Sequence, residues 1–386
     1  MTKFAVLTFL FIAFSMAYTD VHAGPAVEKE SFAGEVLCLP SATNPELSGG
    51  CLMAGPARYQ AQMAEKGITF PPRPLPARQP DPTLIYVPYL YGRVTTPGGP
   101  VYASLDDAVN AGPIQRRFEP GFVFIDYFDQ VVVDERRFYR LTSGGWMTAS
   151  DVSRLSPANF QGLEFTRTPE RPFGWILQPV EIKRTPGYQQ RDYSGQSLNR
   201  YNLVQVYAVE DVNGEEWVLI GPDQWIERRM VAQVIPNTTP PEGVENERWI
   251  EINLQEQTLA VYDQRRLVFA TVIASGVPGT WTRPGLFQIY KMLEREEMQG
   301  SFTLDRSDYY SLAAVPWTLY FDQARALHGT YWHNGFGYPR SSGCVNLSTG
   351  DARWVFDWAE VGDWVYVWDP SGQTPTDPQL YGAGGA

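Results

Sequence analysis

Apolar residues that alternate with polar ones predict strands in the C-terminal third of the chain. In the segment RWIEINL, the apolar positions Ile250, Ile252 and Leu254 follow the period of two that a half-buried strand requires. The next segment, TLAVYDQRRLVFATVIASG, predicts two strands around a turn at 263–265, and TRPGLFQIYKM and GDWVYVW predict one strand each. Residues 247–369 therefore predict a domain built mainly of strands.

One helix is expected in this domain, over residues 348–358. Ser348 can cap its N-terminus, and Asp351 stands near its start, where a negative charge is favourable. One face of the helix would carry Ala352, Val355 and Phe356. The helix would begin just after Cys344.

An ungapped internal repeat with an offset of 79 residues lies upstream of this domain (Val204 against Ile125). The other matched pairs are Phe138 with Trp217, Trp146 with Trp225, Val152 with Val231, Leu155 with Val234, and Pro157 with Pro236. Short strands at close spacing predict two small all-β units, 83–160 and 161–237, which resemble the bacterial SH3-like repeats found beside cell-wall enzymes. A single larger β domain is the alternative.

Proline and glycine mark the joints between these parts. FPPRPLPARQPDP, which ends at Pro82, predicts an extended spacer, so residues 24–82 are expected to form a disulfide loop and a proline-rich linker. NTTPPEGVEN, residues 237–246, is a second linker. Residues 370–386 lack apolar periodicity and predict a flexible tail.

The N-terminus has the layout of a secretory signal peptide over residues 1–23. Lys3 supplies positive charge, an apolar run of about 15 residues extends from Phe4 to Tyr18, and cleavage is expected after Ala23. A retained membrane anchor is the alternative, but the run is shorter than the roughly 20 residues that a span requires. No later stretch is apolar enough to span a bilayer. We therefore expect a mature protein in the cell wall or periplasm.

The cysteine count agrees with export. Cys38 and Cys51 flank a loop of Pro, Asn, Ser and Gly residues, and in an oxidising compartment they are expected to form a disulfide that contributes about 3 kcal/mol. Two unpaired thiols are the alternative. The disulfide would leave Cys344 as an odd, potentially reactive thiol.

The net charge of −12 narrows the range of partners. Thirty-one basic residues are spread thinly along an acidic chain, which argues against binding to nucleic acid or to an anionic membrane.

The candidate chemistry is concentrated in one segment, HGTYWHNGFGYPRSSGCVN. The chain has three histidines, and two of them, His328 and His333, precede Cys344 here. A neighbouring histidine or a helix N-terminus can lower the pKa of a thiol or accept its proton. Gly343 permits a tight turn that could direct backbone N–H groups at an oxyanion. The segment therefore predicts acyl transfer through a thioester.

Other interpretations of the segment remain open. A Cys-His-His zinc site is conceivable, but Cys344 lies 16 positions after His328, and this spacing lacks the usual close pairs of ligands. Both histidines could be packing residues, and for His333 this is as plausible as a catalytic role. An inert buried thiol is disfavoured because the residues next to Cys344 are polar. A papain-type enzyme is disfavoured because its cysteine precedes its histidine, whereas here the histidine comes first.

The segment HGTYWHNGFGYPRSSGCVNLS closely resembles the catalytic signature of the L,D-transpeptidase family, the YkuD-type domain. The matching residues are His328, Gly329, Ser341, Gly343, Cys344 and Asn346. TRPGLF (282–287) and VPWTLYF (315–321) resemble the family's upstream segments, so the resemblance covers roughly 248–368. It implies a β-sandwich with one short helix after the cysteine. The family usually has histidine where this chain has Ser342.

The resemblance implies a role for each matching residue. Cys344 would be the nucleophile, His328 the general base and acid, and Gly343 a backbone donor to the oxyanion. Substrate contacts are expected from Gly329, His333, Ser341, Ser342, Asn346, Tyr331, Trp332, Trp317 and Tyr320, although packing is an equally plausible role for the four aromatic residues. No metal or organic cofactor is implied.

The expected function is an exported L,D-transpeptidase that forms 3→3 cross-links between peptidoglycan stem peptides and releases D-Ala. If water replaces the acceptor amine, the enzyme is an L,D-carboxypeptidase. A third alternative is a wall-binding protein that acts through its repeats and has a silent catalytic domain.

Overall fold

The computed structural model describes residues 56–188, 191–301 and 303–382. The chain divides into two compact units, Met1–Gln62 and Met63–Ala386, and the account below concerns the second. Helix α1 spans Pro56–Glu65. The signal peptide and the Cys38–Cys51 disulfide lie outside the described residues and stay predictions. None of the helices in the described ranges has the length and apolar character needed to cross a bilayer.

The first third of the described chain contains nine strands, a short helix and two 3₁₀ turns. The strands are β1 (Ala77–Arg78), β2 (Leu90–Val94), β3 (Pro100–Tyr102), β4 (Ile114–Arg117), β5 (Phe122–Val133), β6 (Arg136–Leu141), β7 (Trp146–Thr148), β8 (Val152–Leu155) and β9 (Leu163–Phe165). Helix α2 spans Leu105–Asn110, and the 3₁₀ turns span Pro82–Ile85 and Ala149–Asp151.

The middle segment contains eight strands and one 3₁₀ turn. The strands are β10 (Phe173–Ile176), β11 (Val180–Lys183), β12 (Tyr193–Leu198), β13 (Leu203–Gln205), β14 (Ala208–Val212), β15 (Glu215–Gly221), β16 (Gln224–Glu227) and β17 (Val231–Val234). The turn Arg228–Met230 and strand β17 follow the turn 149–151 and strand β8 at the offset of 79 residues. This common order supports a duplication, which we keep as a proposal.

The last segment contains nine strands, helix α3 (Thr349–Trp358) and a 3₁₀ turn at Pro378–Leu380. The strands are β18 (Arg248–Asn253), β19 (Thr258–Asp263), β20 (Arg266–Val272), β21 (Gly285–Gln288), β22 (Lys291–Gly300), β23 (Tyr310–Asp322), β24 (Arg325–Gly329), β25 (Val345–Leu347) and β26 (Trp364–Trp368). The predicted mostly β fold with one helix late in the domain is confirmed.

Two sheets enclose the main hydrophobic core. One sheet has the order β1-β9-β20-β19-β18-β26-β21, and the other includes β25-β24-β23-β5-β6, with β22 paired to β23. Between them pack side chains such as Ile250, Val261, Leu319, Leu327 and Val345, which are fully buried. Because successive side chains of a strand point to opposite faces, each strand places one row of side chains in this core and the alternate row outside it.

The first β unit and the last domain share a sheet, because β5 pairs in parallel with β23. Tyr310 lies opposite Phe122, and Leu312 lies opposite Phe124. Strand β9 falls in the range assigned from sequence to the second repeat, but it pairs with β20 of the last domain. The boundaries read from sequence therefore miss these long-range pairings.

Two segments expected to be extended or flexible have defined contacts. The proline-rich linker contributes β1, which pairs with β9. In the tail, the ring of Tyr381 packs against Arg325, whose guanidinium carbon lies 5.2 Å from the centroid of the ring. Arg325 also donates a hydrogen bond to the carbonyl of Gly382. Flexibility was inferred from weak periodicity, which does not detect contacts made by a single aromatic side chain.

Asp351 ties helix α3 to the sheet beside it. Its carboxylate accepts hydrogen bonds from Thr271 Oγ1 (2.6 Å) and from the backbone N–H of Gly162 (2.8 Å). Ser348 caps the helix as expected, since its Oγ accepts from the Asp351 N–H. Complete burial raises the pKa of Asp351 to about 6.

We predict that Asp351→Ala lowers the free energy of unfolding by about 2–3 kcal/mol, because two buried donors lose their acceptor. The raised pKa in the folded state means that the contribution of Asp351 is largest below the unfolded-state pKa near 4 and declines as the pH rises through 6. Urea unfolding at pH 5 and pH 8 measures both effects.

The matched control is Asp357→Ala, which removes an exposed carboxylate of the same helix that pairs with Arg353. It should change stability by less than about 0.5 kcal/mol. An Asp351→Ala cost that is larger at pH 8 than at pH 5 would contradict this account.

Candidate active site

The parallel pairing of β24 with β25 determines which side chains face the candidate site. Leu327 lies opposite Val345, and His328 lies opposite Asn346. Because side chains alternate along a strand, Leu327 and Val345 point into the core while His328 and Asn346 point away from it. Cys344 directly precedes β25 and shares the face of Asn346. The fold thus brings histidine and cysteine to one face.

These residues line a cavity of about 290 Å³. His328, Cys344 and Asn346 form its base, and Trp332, Arg340, Ser341 and Ser342 come from the loop between β24 and β25. A further part of the lining, the hairpin wall, consists of Met298, Asp308, Tyr310 and Leu312 from the β22–β23 hairpin, together with Phe122 from β5. The cavity is therefore shared between the last domain and the first β unit.

Cys344 is held as a protonated thiol. Its side chain is buried, and Sγ lies 3.7 Å from the carbonyl oxygen of Ala324. Burial raises the pKa of the Cys344 thiol to about 11, against opposing effects of the Ala326 backbone and the nearby Arg325 charge. The sequence suggested a lowered pKa, but helix α3 begins five residues later at Thr349 (349 − 344), and burial outweighs the favourable neighbours.

His328 is held as a neutral imidazole. It is almost fully buried, and Nδ1 lies 3.2 Å from the carbonyl oxygen of Gly329. That carbonyl can only accept, so Nδ1 carries the proton and Nε2 is left as a proton acceptor. Burial lowers the pKa of His328 to about 4. The ring therefore has the tautomer and the charge state of a general base.

The turn before Cys344 requires glycine at position 343. Gly343 has a φ of +120°, and a Cβ there would lie 3.3 Å from Arg325 Nε. Ser341 Oγ accepts the Gly343 N–H (3.2 Å) and donates to the Cys344 carbonyl, while Thr282 Oγ1 donates to the Gly343 carbonyl (2.9 Å). The N–H expected to stabilise an oxyanion therefore already has a partner.

His333 fixes the orientation of the Asn346 amide. The Gly335 N–H donates to His333 Nδ1 (3.2 Å), so neutral His333 carries its proton on Nε2, which lies 3.0 Å from the Asn346 amide group. A donor at Nε2 requires the Asn346 carbonyl oxygen to face it. We therefore assign the Asn346 NH₂ group to the other amide position, whose buried atom has no hydrogen-bond partner among the residues that the structure describes.

The remaining residues expected to contact substrate fall into two groups. Trp332, Ser341 and Ser342 line the cavity, whereas Tyr331 stacks on Tyr91 with ring centroids 3.6 Å apart. Trp317 packs against helix α3, where the guanidinium carbon of Arg353 lies 4.0 Å from the centroid of the Trp317 ring. These two aromatic residues make packing contacts and do not line the cavity.

Tyr320 and Gly329 lie close to the site without lining the cavity. Burial raises the pKa of the Tyr320 phenol, with smaller contributions from Glu296 and Cys344, so Tyr320 lies near the cysteine. Gly329 supplies the carbonyl that holds His328. Gly329 therefore contributes to the orientation of the His328 ring through its backbone.

Sequence reasoning missed the hairpin wall, Phe122, Arg340 and Arg325. Arg325 is buried in an ion pair with Asp322 (3.1 Å), which also binds Arg283. The only local signal for Arg325 is its position three residues before His328 (328 − 325). The hairpin wall and Phe122 had no local signal at all. Among the described residues, no group of three His, Cys, Asp or Glu side chains is arranged to hold a metal ion.

Comparison with known proteins identifies the last domain. A family model for the L,D-transpeptidase catalytic domain, YkuD, matches residues 247–367. No curated protein matches the chain.

Solved structures of three L,D-transpeptidases illustrate the likeness. The enzyme from Stackebrandtia nassauensis is 25% identical over 36% of this chain and 60% of its own, with a TM-score of 0.27. The catalytic domain from E. faecium is 25% identical over 33% and 100%, with a TM-score of 0.29. Mycobacterium tuberculosis L,D-transpeptidase 1 is 22% identical over 31% and 60%, with a TM-score of 0.27.

The chain thus spans about 60% of the length of two of these proteins. The assignment rests on the family model and applies to the matched segment. Residues 247–367 form an L,D-transpeptidase catalytic domain of the YkuD type.

Proposed function

We propose that the protein is an exported L,D-transpeptidase that joins peptidoglycan stem peptides by 3→3 cross-links. The observation that carries the proposal is the placement of His328 and Cys344 on one face of the β24–β25 pair, within the segment that matches the family model. Export follows from the signal peptide expected at residues 1–23, and the SH3-like repeats would add contacts to the wall.

The reaction would proceed in two acyl transfers. His328 Nε2 accepts the thiol proton as Sγ attacks the carbonyl carbon of the third, diamino residue of a tetrapeptide stem. The C–N bond to D-Ala breaks, and the imidazolium returns the proton to the leaving amine. The side-chain amine of a second stem then attacks the thioester carbonyl. The C–S bond breaks, and the amine's proton returns to the thiolate through His328.

The resting state would be a neutral pair rather than a thiolate–imidazolium pair. The pKa of Cys344 is raised to about 11 and the pKa of His328 is lowered to about 4, both by burial. Proton transfer is then coupled to attack on a bound substrate, and the Arg325 guanidinium nearby supports the negative charge that develops on sulfur. A thiol kept protonated between turnovers also resists oxidation.

Oxyanion stabilisation would come from the backbone around Gly343 and Cys344. The Gly343 N–H donates to Ser341 Oγ at 3.2 Å, which is a long contact. In the tetrahedral intermediate this N–H would exchange Ser341 Oγ for the oxyanion, while the second Ser341 contact, to the Cys344 carbonyl, holds the turn.

The cavity lining is suited to a peptide that carries both charges. Asp308 and Arg340 give the wall one group of each sign, and Phe122 and Trp332 offer apolar surface. The Asn346 NH₂ group, oriented by His333, would donate to a carbonyl or carboxylate oxygen of the stem. The first β unit would thus take part in substrate binding through Phe122.

We predict that the His333–Asn346 contact affects catalysis without affecting the fold. His333→Phe keeps a ring of similar size but removes the donor to the Asn346 carbonyl, so kcat/KM for cross-linking should fall about tenfold. His333→Gln should recover most of the loss, because a glutamine Nε2–H can replace the imidazole donor.

Melting temperature should be the same in both variants. A His333→Phe enzyme with wild-type kcat/KM, or a His333→Gln enzyme as slow as His333→Phe, would contradict this role.

Mass spectrometry of products tests the proposed function. The mature protein is incubated with purified disaccharide-tetrapeptide, with Cys344→Ala as the control that lacks only the thiol sulfur. We expect a dimer with the mass of two substrates minus one D-Ala, and no product from the variant. Tripeptide with free D-Ala and no dimer would show an L,D-carboxypeptidase instead. Turnover by Cys344→Ala would contradict the mechanism.

A further inference from the structure

A groove with a polar and aromatic floor lies on the outer face of the β18–β26 pair, opposite the main core. Glu251 lies opposite Tyr366, and Asn253 lies opposite Trp368. The alternate residues of the two strands, Ile250, Ile252, Val365 and Val367, are buried in the core. The same alternation directs the other side chains outward, away from the core: Glu251, Asn253, Tyr366 and Trp368.

The groove is a cavity of about 700 Å³ that is separate from the Cys344 cavity. One wall is formed by the end of β17 and the segment after it, residues 233–241, and Pro370 also lines the groove. The neutral side chains that can donate or accept hydrogen bonds into it are Gln233, Asn237, Thr239, Asn253, Gln255 and Thr258. A volume of this size accommodates a ligand of two or more rings.

Two aromatic rings line the floor of the groove. The Tyr366 and Trp368 rings, two residues apart on β26, are nearly parallel, with an interplanar angle of 12° and centroids 6.4 Å apart. Trp368 Nε1 donates to Glu251 Oε1 (3.2 Å), which holds the indole in place. Flat rings of this kind stack on the C–H face of a sugar while the hydroxyl groups at its edge reach polar neighbours.

The charges in the groove argue against an anionic ligand. Among the described residues that line the groove, Arg228 is the one basic residue, and it pairs with Glu256 (2.5 Å). Within the described ranges, no basic side chain lies at ion-pair distance from Glu251. Burial raises the pKa of Glu251 to about 7, so near neutral pH this carboxyl can donate as well as accept a hydrogen bond. Hydroxyl groups suit such a partner, and phosphates and carboxylates do not.

We propose that this groove binds a neutral glycan, with sugar rings stacked on Tyr366 and Trp368 and hydroxyl or acetamido groups bonded to Glu251 and the amide side chains. An aminated ligand held by Glu251 alone is the competing possibility. The many neutral partners in the lining favour the glycan. The proposal rests on the chemistry of the groove and not on transfer activity at Cys344.

Calorimetric titration of the full chain with a β-1,4-linked tetramer of N-acetylglucosamine tests the proposal. The tetramer carries no stem peptide, so the result is independent of catalysis. We expect a dissociation constant of about 1 mM or lower, weakened at least about tenfold by Trp368→Leu, which removes the indole but keeps apolar volume. Glu251→Gln should stay within about threefold, because an amide also donates and accepts. Tyr86→Leu, at an exposed aromatic residue outside the groove, should bind as wild type.

Deuterium exchange of the wild-type protein provides a second readout that needs no variant. The tetramer should slow exchange in the segment 234–241, which forms one wall of the groove. Absence of binding, equal binding by Trp368→Leu, or protection confined to other segments would overturn the proposal. Displacement of the tetramer by lysine amide would also overturn it and indicate an amine site.

Discussion

The parallel register between β24 and β25 is the constraint on which the candidate site depends. One row of side chains, with Leu327 and Val345, is buried in the core between the sheets. The other row brings His328 beside Asn346 and Cys344. A slip of one residue would move the apolar row out of the core and the polar row into it, so the energy of core burial also fixes the geometry of the chemistry. Catalytic placement here is a consequence of packing.

Burial then determines the charge state of the site. The thiol and the imidazole both lie almost fully inside the protein, where the neutral form of each is favoured. Arg325, fixed by Asp322 and packed against Gly343, supplies a positive charge close to the sulfur. In the proposed mechanism, the site would therefore stabilise negative charge that appears during the reaction rather than before it. Ser341 and Thr282 hold the backbone of the turn, and Gly329 orients the base.

Local signals in the sequence were sufficient for much of the fold. The period-two segments near Ile250 and Ile252, the turn at 263–265 and the helix capped by Ser348 all depend on nearby residues, and the structure agrees with each. Pairing of β5 with β23 joins residues 122 and 310, and no local pattern encodes a contact of that kind. For the same reason the sequence did not reveal Phe122 in the cavity. It also left the aromatic residues Trp317 and Tyr331 open between packing and substrate contact, because aromatic residues look alike in sequence whether they pack or bind.

The protonated resting state of the Cys344 thiol is the central claim, and the pH dependence of Cys344 alkylation by iodoacetamide tests it most directly. In the folded protein the rate should be slow at pH 7 and should rise tenfold per pH unit through at least pH 10, without a plateau, because the thiolate fraction follows a pKa of about 11. The same protein unfolded in guanidinium should level off above pH 9, as an ordinary cysteine does. A plateau at or below pH 7 in the folded protein would reveal a preformed thiolate–imidazolium pair and contradict the account.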